Sequence, residues 1–195
     1  MGRTKKLLVL LLILALFMGL YVAISRWAVE EEEDSGIQSE LISILSFEPE
    51  DVISLYWEYD GEDGRESYRL EKEDETWIWP EDKDLELDQE AIEQMLYNIS
   101  SLSATSQIET EDDPDLEQYG LEEDPYSVIR LEFSEESEIP EITLLTGDYS
   151  SVAGQYYAKI DGQVGIYLVE GTYTESFQCT PEDLEYIEET SEEES

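Results

Sequence analysis

The sequence predicts an α+β fold: antiparallel strand meanders, each followed by a helix, as a candidate duplication behind one transmembrane helix. Three observations predict it. Short segments alternate apolar with polar residues between Gly, Pro and Asp turns. One stretch carries apolar residues at three- and four-residue spacing. One N-terminal stretch, Leu7 to Ile24, contains no charge.

The N-terminal stretch follows a basic head containing Arg3, Lys5 and Lys6. As a helix, Leu7 to Ile24 would span about 27 Å, close to a bilayer core of about 30 Å. Tyr21 and Trp27 stand where interfacial aromatics belong, and the basic-before, acidic-after flanks predict an inside N-terminus. The rival reading is a secretory signal cleaved after Ser25, which Arg26 disfavours. The chain then divides into a cytoplasmic basic head (1–6), a transmembrane anchor (7–25), an acidic stalk (26–40), an extracytoplasmic α+β domain (41–188) and an acidic tail (189–195). Candidate repeat units are 41–105 and 116–188. The predicted location is the cytoplasmic membrane, single-pass, with the C-terminal domain outside.

Strands are expected at 41–47, 52–59, 65–71 and 75–79. In the second, Ile53, Leu55, Trp57 and Tyr59 share a face. The turn Asp60-Gly-Glu-Asp-Gly64 ends it, and Pro80 ends the fourth. A helix over 89–102 follows, with Asp88 as N-cap and Ile92, Met95, Leu96, Ile99 and Leu102 as its apolar stripe; Glu93, Gln94 and Asn98 face out. Gly120 should end a short helical turn begun at Leu116. The second strand set is expected at 126–133, 141–146, 155–160 and 164–169. Gly147-Asp148 closes the second of these, and Asp161-Gly162 forms a tight hairpin. Thr180-Pro-Glu-Asp183 opens a final helix at 181–188.

Composition excludes whole classes of function. With 51 acidic and 10 basic residues, a formal charge of −41, the surface repels phosphate backbones, so no nucleic acid is expected as partner. Cations, cationic wall or membrane components, or a basic protein face are the electrostatic complement; the other reading is a solvating surface suited to solubility or to a saline or acidic habitat. Stability should rise with salt as the acids are screened. The chain has no histidine, which removes the Ser-His-Asp triad, the Cys-His pair and the HExxH zinc site together. Neither GxGxxG nor a P-loop occurs, so no cofactor is expected. Cys179 is alone and cannot form an internal disulfide; its apolar flank predicts an inert, buried thiol. Two acidic turns are candidate weak calcium sites: Asp60, Glu62 and Asp63, and Glu111, Asp112, Asp113 and Asp115. Neither has the EF-hand spacing. Trp57 and Trp77 should be core, while one of Tyr156 and Tyr157, on opposite faces of a strand, should be free for partner contact.

Several motifs follow in order: Trp77-x-Trp79-Pro80, the helix Ala91 to Leu102, Leu116-x-x-Tyr119-Gly120-Leu121-x-x-x-Pro125, Ile142-x-Leu144-Leu145-x-Gly147-Asp148, Tyr156-Tyr157-x-Lys159 and Val164-x-x-Tyr167-Leu168-Val169. Together, over about 50–188, they resemble the bacterial family catalogued as domain of unknown function 4340. The resemblance implies an envelope protein with one N-terminal anchor, in a family often encoded near ABC transporter or gliding-motility components. It carries over no catalytic residue. Tyr119, Gly120, Leu121, Gly147 and Asp148 match its motifs, with turn and capping roles expected. The combined expectation is a non-enzymatic, membrane-anchored extracytoplasmic scaffold or accessory subunit of an ABC transporter-associated complex. The alternatives are a cell-wall glycan- or calcium-binding module, and a hydrolase using paired carboxylates.

Overall fold

The computed structural model describes residues 41–61, 64–109 and 114–187, which belong to one compact unit. Its elements in order are β1 (Ile42–Ser43), β2 (Val52–Gly61), β3 (Gly64–Glu73), β4 (Thr76–Ile78), α1 (Gln89–Ser100), β5 (Ser103–Ala104), β6 (Ser106–Ile108), β7 (Ser127–Phe133), β8 (Ile142–Ser150), β9 (Gln155–Ile160), β10 (Ile166–Val169) and α2 (Thr172–Glu175). Three 3-10 turns, Pro49–Asp51, Glu117–Tyr119 and Pro181–Leu184, punctuate them.

Eight strands form one sheet in the order β4-β3-β2-β7-β8-β9-β10-β6, and every described pairing is antiparallel. The two strand sets read from the sequence therefore join edge to edge through β2 and β7. Helix α1 packs on one face. Its buried Ile92, Met95, Leu96 and Ile99 share a cluster with Leu55, Trp57, Ile129, Leu131 and Leu144 from the sheet centre. The helix starts where expected, because Asp88 Oδ1 accepts from the backbone N–H groups of Glu90 and Ala91 at 3.0 and 3.1 Å.

Several boundaries differ from expectation for identifiable reasons. The segment 41–47 is a strand only at Ile42–Ser43, paired with β5. Beyond it, the N–H groups of Ile44 and Leu45 bond to the Leu102 carbonyl and that of Phe47 to Ser100, which supplies partners at the end of α1. Ile53 does not share the face of Leu55. A bulge between Val52 and Ser54 turns Ile53 out to 41% exposure and buries Val52 instead. β8 does not stop at Gly147; a register shift between Thr146 and Tyr149 absorbs Gly147-Asp148 and the strand runs on to Ser150. Asp161-Gly162 lies in a wider connection, 161–165, because Gly165 at φ 131° delays β10 until Ile166.

The turn at Thr180 has the full capping box, yet it remains a 3-10 turn in place of the expected helix. Glu185 becomes extended and bridges Leu87, while Tyr186 N–H donates to the Glu86 carbonyl at 2.8 Å. That exchange ties the end of the described chain to the approach to α1. Between β3 and β4, Asp74 and Glu75 both take positive φ, 47° and 68°, the backbone of a tight hairpin turn made without glycine.

The predicted fold class needs one correction. Among the described residues no helix is long and apolar enough to cross a membrane. The anchor expected at 7–25, with its head at 1–6 and stalk at 26–40, lies outside the described residues, as does the tail at 189–195.

Candidate functional site

The sheet ends at β4, beside the start of α1. A three-residue edge strand leaves the Trp77 peptide facing away from β3. Gln89, the first residue of α1, covers it: Trp77 N–H donates to Gln89 Oε1 at 2.7 Å, and Gln89 Nε2 donates to the Trp77 carbonyl at 3.1 Å. One side-chain amide thus occupies the place of a neighbouring strand. The Trp77 indole is buried at 2% exposure, with the Lys72 ammonium 5.5 Å from its ring centroid. Lys72 also donates to the Glu50 carbonyl at 3.2 Å.

Two depressions flank this edge. One, of about 380 Å³, runs from Pro49 and Glu50 past Lys72 to Glu90, Glu93 and Tyr97 on the outer face of α1. The other, of about 520 Å³, lies between β4 and the segment Leu85 to Glu90, with Tyr186 on its rim. Glu90 lines both. Tyr97 and Tyr186 are 66% and 55% exposed. In the sequence Tyr97 stands out only as an aromatic on the polar side of a helix otherwise presenting Glu93, Gln94 and Asn98.

On the opposite sheet face the arginines are consumed internally. Arg65 Nε donates to Glu58 at 2.5 Å, and its Nη1 reaches Asp60 at 3.2 Å, Asp124 at 3.4 Å and the Pro125 carbonyl. Arg69 pairs with Glu71 and Glu132, and Arg130 pairs with Glu141 beneath the Tyr56 ring. Burial works to raise the Glu58 carboxyl, but hydrogen bonds from Tyr56 and Arg65 outweigh it and hold Glu58 below its ordinary range. Glu66 accepts from both Tyr59 and Tyr68, at 2.8 and 3.0 Å. Burial, then that carboxylate, pushes the Tyr68 phenol up to about 12. Cys179 is half-buried and burial pushes its thiol up to about 11, while its carbonyl accepts from the Trp57 indole at 3.0 Å.

The motif residues meet in space. The described part of the β6–β7 connection, 114–126, lies on β8 and β9. There Tyr119 packs edge-to-face on Tyr157 at 5.0 Å, and a β-carbon at Gly147 would collide with the Tyr119 carbonyl oxygen. Gly120 ends the 3-10 turn at φ 66°, its α-carbon against Asp148. Leu121, Val128 and Ile166 are buried outside the main cluster. Of the tyrosine pair, neither is free: Tyr157 sits under Tyr119, and Tyr156 stacks on Tyr126 at 5.2 Å.

Of the candidate calcium residues, Asp60 and Asp115 are described. Asp60 pairs with Arg65, and Asp115 Oδ1 accepts from the Glu117 N–H at 3.2 Å. Glu62, Asp63, Glu111, Asp112 and Asp113 lie outside the described residues. No group of three or more His, Cys, Asp or Glu among the described residues is placed to hold a metal ion.

Comparison with known proteins gives one match: residues 77–185, more than half of the chain, fit the model of the Domain of unknown function DUF4340. The chain belongs to the DUF4340 family. No curated protein and no solved structure matches it. Within the DUF4340 span fall Trp77 and Ile78 of β4, all of α1 and the motif residues at 119–121 and 147–148, while β2 and β3 lie before it. The DUF4340 assignment carries no cellular context. Anchoring by an N-terminal helix, the single-pass location and the role beside an ABC transporter are corrected accordingly. The match supplies a domain of unknown function alone, and no described helix is long and apolar enough to cross a membrane. The match bears on neither the glycan- or calcium-binding alternative nor the carboxylate hydrolase.

Proposed function

We propose that this DUF4340 domain is a non-catalytic binding module that engages a basic protein surface. The observation that carries the reading is the disposition of charge. All three arginines of the described domain are locked to carboxylates, each facing at least one, and Lys83 is held by Glu73 at 2.8 Å. The surplus acids, drawn from 51 in the chain, are left to define the outer surface. Such a surface raises the local concentration of cationic partners and speeds their encounter. The one thiol is poorly ionised at neutral pH, and no histidine is available to activate it or any hydroxyl, which supports a binding role over a nucleophilic one.

The test is fluorescence anisotropy of a labelled synthetic peptide of alternating lysine and leucine, titrated with the full chain. Binding at low salt should weaken steadily as ionic strength rises and the Debye length shrinks to about 10 Å at 0.1 M. An acidic peptide of the same length should not bind. Failure of the lysine peptide to bind at low salt would overturn the reading.

A further inference from the structure

Helix α1 buries one stripe and leaves another uncovered. Ile92, Met95, Leu96 and Ile99 face the sheet, whereas Glu90, Glu93, Gln94 and Tyr97 are exposed. The uncovered stripe is one wall of the first depression, and its first residue, Glu90, also lines the second. Glu90, at the start of the helix, is thus where the surface lined by Tyr97 meets the surface lined by Tyr186.

We propose that this surface is the docking groove for a basic, amphipathic protein segment, so that a cationic side chain of the partner lies against Glu90, Glu93 and Tyr97. Apolar partner residues would settle towards Leu85, Ile78 and Tyr186 in the second depression. The inference rests on the binding reading given above and assigns it a place.

Three features commit the groove to that occupant. The first is charge. Glu50, Glu90 and Glu93 rim the first depression, and Glu86, Asp88 and Glu90 the second. The lysines that enter them, Lys72 and Lys83, are already engaged by the Glu50 carbonyl and by Glu73. A nucleic acid, an anionic lipid surface or a second copy of this −41 chain would each bring like charge to that rim. The second feature is the pair of exposed tyrosines, large amphipathic rings of the kind that anchor interfaces with little loss of conformational freedom. The third is an internal precedent. Lys72 places its ammonium over the Trp77 ring and beside a carbonyl oxygen at the base of this same region. A partner cation over Tyr97 with Glu93 one helical turn away would repeat that arrangement nearer the surface.

The experiment uses the full chain and the labelled lysine–leucine peptide. Three proteins are compared: the native chain, the variant Glu90→Gln/Glu93→Gln/Tyr97→Ala, and the control Glu122→Gln/Glu123→Gln. The control removes the same two charges from exposed positions that line neither depression of the groove. The groove variant should lose affinity by about tenfold or more, the equivalent of about 1.4 kcal/mol, and the control by about twofold or less. Amide chemical-shift changes on adding peptide to the native chain should concentrate between residues 85 and 97 and at Tyr186; this readout does not depend on any variant folding. Equal losses in variant and control, or shift changes spread elsewhere, overturn the groove and leave the charge-based reading standing. Absence of any binding by the native chain overturns that reading itself. Self-association that the peptide cannot displace would make a second copy the occupant and also overturn the proposal.

Discussion

Gly147 in β8 lies so close to the carbonyl oxygen of Tyr119 that no β-carbon fits between them. Leu121 Cγ stands 2.9 Å from the position that carbon would take, so neither the backbone nor the side chain can yield cheaply. Gly147→Ala should therefore lower stability by about 2–4 kcal/mol, the range for enforced overlap in a packed site. Gly120→Ala, whose residue sits at φ 66° against Asp148, should cost about 1–2 kcal/mol from the left-handed backbone alone. Urea unfolding of both variants checks the order: a Gly147→Ala protein as stable as the native one would show that the contact is not required.

The Gln89 amide is the cover of the β4 edge. Replacing it, Gln89→Ala, strips both partners from the Trp77 peptide and should cost about 1–3 kcal/mol. The uncovered edge should also promote association through strand pairing, visible as concentration-dependent sedimentation. Gln89→Glu keeps the acceptor but loses the donor, so its stability should fall between the native and alanine proteins. If all three unfold at the same urea concentration, the clamp contributes nothing.

Asp74 and Glu75 hold positive φ values that cost an L-residue about 1–2 kcal/mol each. Neither carries a resolved burial role, since both are exposed. Glu75→Gly should consequently stabilise the domain by about 0.5–1 kcal/mol, with glycine's greater unfolded-state freedom taking back part of the gain. Thermal unfolding should show a raised midpoint. A lowered one would mean that Glu75 makes a contribution beyond its backbone.

Cys179 should react slowly. With burial raising its thiol from about 9 to about 11, the thiolate is scarce at pH 8, and alkylation by iodoacetamide should run at least about tenfold slower than for free cysteine. The linkage has a definite sign. The neutral thiol is favoured in the folded state, so its contribution is fully present below pH 9 and is lost as pH rises from 9 towards 11. Cys179→Ala should flatten the fall in stability across that window. Fast alkylation of the folded chain at pH 8 contradicts the burial.

Much of the fold was legible because period and punctuation agree. The alternation from Leu55 to Tyr59 and the stripe Ile92, Met95, Leu96 and Ile99 each name their buried face, and Asp88 marks the helix start. What escaped is non-local. β6 is Ser-Gln-Ile in a polar stretch, and only its pairing with β10 makes it a strand. Gly147-Asp148 reads locally as a strand end, whereas the chain uses it as a bulge on which a distant turn can rest. Ile53 follows the alternation perfectly and is still turned out, since one inserted residue reverses the phase. The groove escaped for another reason: Glu90, Glu93 and Gln94 are the residues any solvated helix face would carry, and only the folded β4 edge beside them makes the face concave.

The join between β2 and β7 has a consequence for how the molecule assembles. Val52 meets Phe133 and Tyr59 meets Ser127, so the central ladder links residues 68 to 81 positions apart, while the hairpins on either side link near neighbours. Local hairpins close early and a distant pairing carries the larger loop-closure cost. Zipping of that seam, with α1 closing over Leu55 and Leu131, should accordingly be a slow step of refolding, and unpaired centre strands are what the chain would present before it.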